Sequence, residues 1–254
     1  MSQININKDK PFFRQLTRKL EHLIFPGEGI CVICKKSLKD IEKGICSDCI
    51  SQIPPITEPY CTKCGKPLLG NNRNKLCSDC LLMPNRYFLQ NRSYGKYEDI
   101  LKKAIILYKY KNKKSLSDPL GSLMLSTFKK QNWQPPEYII PVPLSRKRLR
   151  GRGFNQAELL ASVISKKIGI PVLNKNLLRT RATEHQTKLG KIQRQENVKG
   201  AFKIIDSSMI RGKTLLLIDD VYTTGATLNE CSKVLKEAGA SRIYSLTLAV
   251  GRGF

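Results

Sequence analysis

The sequence predicts an α/β domain, a mainly parallel sheet with helices on both faces, preceded by a small cysteine-rich module. Three observations lead there. Over roughly the last 165 residues, short apolar runs of strand character alternate with segments of helical spacing. Eight of the nine cysteines fall into four C-x-x-C pairs, all before residue 81. Residues 214–227 read Thr-Leu-Leu-Leu-Ile-Asp-Asp-Val-Tyr-Thr-Thr-Gly-Ala-Thr, an apolar run that ends in two acids and enters a helix through a small hydroxyl-rich turn.

Taken in order, Phe12, Leu16, Leu20 and Leu23 predict an amphipathic helix within residues 1–25. His22 on it fits no ligand pattern and reads as a surface or packing residue. Residues 26–84 hold the pairs Cys31/Cys34, Cys46/Cys49, Cys61/Cys64 and Cys77/Cys80, separated by 11, 11 and 12 residues. Met1 to Lys10 is polar and has no apolar signal core, so these pairs read as metal ligands rather than disulfides. All-thiolate sets of four suit tetrahedral zinc; an iron–sulfur cluster is the alternative, disfavoured by the even spacing. Pro54-Pro55 and Pro59 divide the module into Cys31–Cys49 and Cys61–Cys80, predicting two zinc ions, one per unit. Ligation interleaved between the units is the alternative. So small a module buries little core, and the metal should supply its folding energy.

Residues 85–254 form the α/β domain. Residues 86–94 look extended and 95–109 helical, and a basic loop from Lys109 to Lys114 leads to a helix near 117–130. Strands are expected at Tyr138–Pro141, Phe202–Ile205, Leu215–Ile218 and Ile243–Val250, with a short one at Pro171–Leu173. Helices at 155–168 and 226–238 alternate with them. Leu228, Cys231, Val234, Leu235 and Ala238 make the apolar face of the second, so Cys231 reads as core, and Gly239 ends the helix.

Ligands of such sheets sit at the carboxyl ends of the strands. Asp219 and Asp220 stand at one such end and can accept from sugar hydroxyls or bind hydrated Mg2+. Thr223, Thr224, Gly225, Ala226 and Thr227 then turn free backbone N–H groups and a positive helix end toward an anion. A second anion site follows Tyr138–Pro141. Arg146, Lys147, Arg148, Arg150 and Arg152 lie within seven residues beside Gly151 and Gly153, as a basic loop that leads into the 155–168 helix. Arg grips phosphate oxygens in a bidentate fork.

The 214–227 stretch resembles the phosphoribosyl pyrophosphate (PRPP) loop of type I phosphoribosyltransferases. The resemblance implies that Asp219 and Asp220 bind the ribose, as the candidate catalytic acids, and that Thr223 to Thr227 hold the 5′-phosphate. Arg146, Arg148 and Arg152 would hold the pyrophosphate. Residues 178–202 resemble the loop that closes over PRPP, with Arg179, Gln186, Arg194 and Asn197 as contributors; His185 there reads as an exposed histidine. Purine-salvage relatives commonly carry Asp directly before the Thr-Gly pair, and Thr223 here argues against salvage of a free purine.

Phe25-Pro26, the cysteine pairs, Pro141-Val-Pro143, Arg152-Gly-Phe-Asn-Gln156, Arg194-x-x-Asn-Val-x-Gly-Ala-Phe202 and the 214–227 stretch together resemble the ComF family. That resemblance covers roughly residues 11–250 and implies a type I phosphoribosyltransferase-like sheet behind a double zinc ribbon. It further implies a cytoplasmic competence factor that handles incoming single-stranded DNA with PRPP and Mg2+ as ligands, alongside protein partners of the competence machinery. A transferase with an unknown acceptor and a PRPP-sensing regulator are the alternatives.

Composition is compatible with this. Forty-five Lys and Arg against 20 Asp and Glu give +25, which favours polyanionic partners. No apolar run approaches the about 20 residues of a membrane helix, so a soluble cytoplasmic protein without membrane insertion is expected.

Overall fold

The computed structural model describes residues 29–38, 44–68, 75–111, 113–181 and 191–251. The helix expected over 12–24, together with His185 and Gln186, lies outside them, as does the side chain of Arg194.

The first cysteine unit contains β1 (Gly29–Ile30) paired antiparallel with β2 (Ser37–Leu38), then the short helix α1 (Ser47–Ser51). The second unit contributes α2 (Ser78–Leu82). Beyond it come β3 (Gln90–Lys96), α3 (Asp99–Tyr110), a single 3-10 turn at Lys114–Leu116 and α4 (Ser117–Lys129). Strand β3 continues through Gly95 and Lys96, two residues expected to be helical, because they pair with Ala249 and Val250 of the sheet; α3 starts four residues later than its spacing predicts. β4 (Tyr138–Pro141) leads to α5 (Arg146–Arg152) and α6 (Gln156–Ile168). β5 (Leu177–Arg179), α7 (Lys191–Val198) and β6 (Phe202–Ile204) form a side excursion whose two strands pair antiparallel. The chain closes with β7 (Thr214–Tyr222), α8 (Ala226–Glu237) and β8 (Arg242–Val250). Pro171–Leu173 forms only an isolated bridge from Val172 to Ile139.

The main sheet has the order β3-β8-β7-β4, every neighbouring pair parallel. Its two central strands are buried on both faces, which explains why they read as unbroken apolar runs. Along β7, Leu216 and Ile218 enter one core with α3, α4 and α6, while Leu215 and Leu217 enter another with α8. Cys231 is fully buried in that second core.

Register decides where the sheet ends. Pro141, the last residue of β4, lies beside Ile218, whereas β7 keeps pairing with β8 as far as Tyr222↔Val250. Asp219 to Tyr222 therefore outrun β4, leaving a notch at the carboxyl edge with β8 on one side only. The acids lie inside the strand, not behind it: the run expected to end at Ile218 extends through both carboxylates.

Both cysteine units are fastened to this body. Lys103 Nζ of α3 donates to the Ile33 carbonyl at 3.1 Å, and Tyr94 OH to that of Ile53 at 3.1 Å. In the second unit the buried Asn91 of β3 donates through Nδ2 to Cys64 O at 3.0 Å and accepts from Ser245 Oγ of β8 at 3.0 Å.

Candidate ligand site and metal centres

The notch opens into a cavity of about 200 Å3. Its walls are Tyr97, the end of α3 (Lys109, Tyr110), Val142 to Leu144 after β4, Arg148, Arg152 and Gln156, Arg179 of β5, and the β7–α8 corner. Among the predicted residues, Asp219, Asp220, Thr223, Gly225, Ala226, Thr227, Arg148, Arg152 and Arg179 line it. Arg146 is exposed and does not line it. Thr224 does not line it either: it is buried, and its Oγ1 accepts from Ala226 N at 3.4 Å, so it shapes the turn from within.

The turn depends on Gly225. Its φ of +76° is left-handed, and a Cβ there would collide with the ring and hydroxyl of Tyr222, which lies buried beneath. Helix α8 begins directly afterwards, and its first amides have no acceptor within the helix.

The basic segment is a helix rather than a loop. Ser145 caps α5 by accepting from Arg148 N at 3.3 Å, and Gly153, at φ +79°, ends it. Arg148 and Arg152 are four residues apart and so share a face of that helix, the one on the cavity. The following residues fix the helix in place. Phe154 is buried against Tyr108, with ring centroids 5.6 Å apart. Asn155 caps α6 through Ala157 N and donates to Val142 O at 3.1 Å, tying helix start to strand end. Gln156 accepts from Arg152, whose guanidinium also lies 5.2 Å from the Tyr110 ring centroid.

Lys109 is the site residue the sequence did not single out. It stands in the last turn of α3, and its ammonium lies 2.8 Å from Asp220 Oδ2, both side chains largely buried. Asp219 is half-buried; burial, and then the neighbouring Asp220 carboxylate, push its pKa up to about 7 against the pull of Lys109. Opposite the acids, burial lowers the pKa of Arg148, and the like charge of Arg152 adds to the effect. Burial likewise lowers Arg179, whose guanidinium stacks over the Phe202 ring. Four cations thus line a cavity holding two acids, an electrostatic surplus suited to an anionic ligand.

The eight paired cysteines form two tetrads, Cys31/Cys34/Cys46/Cys49 and Cys61/Cys64/Cys77/Cys80, with all sulfurs of each within 4.8 Å of one another. Grouping is sequential, not interleaved. Observed S···S separations of 3.9 Å (Cys31–Cys49), 3.6 Å (Cys34–Cys46) and 3.5 Å (Cys64–Cys77) sit near the about 3.8 Å that tetrahedral Zn–S bonds impose. Backbone N–H groups point at the sulfurs, as from Cys46 to Cys31 and from Cys64 to Cys61. Thiols this close cannot all ionise unaided. Hydrogen bonds from Cys64, Cys77 and Cys80 drive Cys61 far down, while the bond to Cys61 drives Cys64 far up. A dication among them would let all four act as thiolates. The donor sets fit two zinc ions.

Family models match in two places: a double zinc ribbon domain at residues 20–81 and a phosphoribosyl transferase domain at 151–253. Competence protein F of Haemophilus influenzae is 34% identical over 224 residues, covering 86% of this chain and 96% of that protein. The chain belongs to the ComF family. Competence protein ComFC of Bacillus subtilis is 31% identical over 94% of this chain and 92% of its own. DNA utilization protein YhgH of Shigella flexneri is 30% identical over 85% and 94%. Among solved structures, glutamine PRPP amidotransferase from B. subtilis gives a TM-score of 0.38 at 16% identity, covering 55% of this chain and 30% of that one, too partial a likeness to argue from. Among the described residues of this ComF chain, no helix is long and apolar enough to cross a membrane.

Replacing Cys46 by Ser should lower the zinc content from two ions per chain to one, measured by atomic emission, and melt the first ribbon. Lys109→Met strands a buried carboxylate and should cost about 3–5 kcal/mol in urea unfolding.

Proposed function

We propose that the cavity binds PRPP with Mg2+ and that the protein acts as a ComF-type competence factor, handling incoming single-stranded DNA in the cytoplasm. The observation that carries the reading is the cavity's division of labour. Acids stand on one strand tip, a helix N-terminus lies behind them, and Arg148 and Arg152 sit on a facing helix. An activated pentose needs hydroxyl acceptors in the middle and anion sites at both ends. Asp219, half-buried on the cavity, accepts from the ribose hydroxyls; Asp220 helps once its pairing with Lys109 relaxes. Thr223, Gly225, Ala226 and Thr227 hold the 5′-phosphate, with Thr224 shaping the turn. Arg148 and Arg152 hold the pyrophosphate, joined by Arg179. Mg2+ bound with the pyrophosphate would offset part of its charge.

The cavity favours binding over purine salvage. Asp219 and Asp220 are the only acids among its described lining residues, so none is left over to activate a nucleobase. The DNA role draws on the +25 charge and on relatives named for competence and DNA utilization. Incubation of the zinc-loaded protein with labelled PRPP, Mg2+ and single-stranded DNA separates the readings, because binding and transfer are scored independently. Tight binding without pyrophosphate release supports the non-catalytic reading. Release on addition of an acceptor would make the protein a transferase instead, and no PRPP binding at all would overturn the assignment. DNA affinity should fall with salt, with log K changing by about −0.7 per unit of log salt for each phosphate neutralised.

Because the folded Asp219 titrates near 7, well above an ordinary carboxylate, it is mostly protonated below that pH and ionised above it. Protons then compete with ligand, and PRPP affinity should drop about tenfold from pH 8 to pH 6. Calorimetry of Asp219→Asn should show weaker binding, by tenfold or more, with most of that pH dependence gone.

A further inference from the structure

The segment joining the second cysteine unit to β3 touches the turn on which the proposed PRPP reading rests. Three consecutive residues make contact. Arg86 Nη2 donates to the Thr224 carbonyl at 3.1 Å, Tyr87 N donates to Asn229 Oδ1 of α8 at 3.0 Å, and the Phe88 ring meets Tyr222 edge-on at 6.4 Å. Cys61, Cys64 and Cys80 share one buried cluster with Phe88, Tyr222 and Ala226.

Arg86 is the unusual member. It is only 7% exposed, and its Nε and Nη1 are buried with no hydrogen-bond partner among the described residues. A guanidinium cannot shed its proton, and an unpaired buried charge is costly. The second tetrad packs around the same segment, since Phe88, two residues on, lies in the buried cluster of Cys61, Cys64 and Cys80. Tyr222 feels both the Arg86 charge and the thiols of Cys64, Cys77 and Cys80, and Lys63 feels Arg86 together with Cys61 and Cys80. Four thiolates around one divalent ion carry a net −2.

We infer that Arg86 is a positioning residue that couples the second metal centre to the ligand turn. The charge of the loaded tetrad holds the guanidinium, and the guanidinium holds the Thr224 carbonyl, so that the amides beyond it face the cavity. Metal in the second ribbon therefore conditions phosphate binding, and metal in the first does not. Coupling of this kind is reciprocal: ligand in the cavity must protect the second zinc to the same degree.

Arg86→Gln, which removes the charge but keeps a polar group, tests this in the full zinc-loaded chain, with Arg86→Lys as the charge-conserving control. Without ligand, Arg86→Gln should speed amide exchange at 223–228 by tenfold or more and leave 138–141 unchanged, while Arg86→Lys stays nearer the wild type. PRPP with Mg2+ should slow loss of one of the two zinc ions to a chelator in the wild type, and fail to do so in Arg86→Gln. Cys77→Ser should weaken PRPP binding and Cys46→Ser should not. Unchanged exchange at 223–228 in Arg86→Gln, or equal losses from the two cysteine variants, overturns the coupling. A wild type that ignores PRPP overturns the ligand assignment alone, because the exchange comparison needs no ligand.

Discussion

Two neighbouring carboxylates at the tip of a strand buried on both faces are the constraint around which the site is organised. Strand β7 carries them one and two residues past the end of β4, where β4 no longer pairs with it on that side. Charge so placed has to be met by cations, and three distant segments supply them: Lys109 from the end of α3, Arg148 and Arg152 from α5, Arg179 from β5. Their packing explains the neighbouring apolar residues. Phe154 against Tyr108 fixes α5 and α6 beside α3, and Asn155 fastens them to the end of β4. What remains between the elements is the cavity.

Much of this was legible because it rests on local rules. Strand β4 has the bounds its apolar run predicts, and α8 starts at Ala226 and stops before Gly239 as its spacing and glycine indicate. The tetrads follow from ligand spacing and the Pro-rich divide. The basic segment misled because five cations and two glycines look like a loop. The structure shows its start and stop at Ser145 and Gly153. Helical phase then separates Arg148 and Arg152 from Arg146, a distinction a loop cannot make. Lys109 and Arg86 were not legible at all. Each matters only through a residue more than a hundred positions away, and nothing in their own neighbourhoods distinguishes them from other cations of a strongly basic chain.

The two cysteine units look alike in sequence and sit in different surroundings. The first joins the core formed with α3, through Ile33, Ile53 and Leu101, away from the ligand turn. The second lies against β3 and the β7–α8 corner, sharing a core with Tyr222 and Ala226. A duplicated motif has thus been placed in two unequal mechanical settings, one bracing a helix and the other bracing the corner that faces the cavity.

Among the described residues, strand β3 has a single neighbour in the sheet, β8, which follows it by well over a hundred positions. During synthesis the cysteine units emerge before β8, and the edge on which Asn91 anchors them cannot pair until β8 follows. Between those two events the chain presents a metal-loading module with no platform beneath it, and two segments far apart in sequence must meet before either is complete.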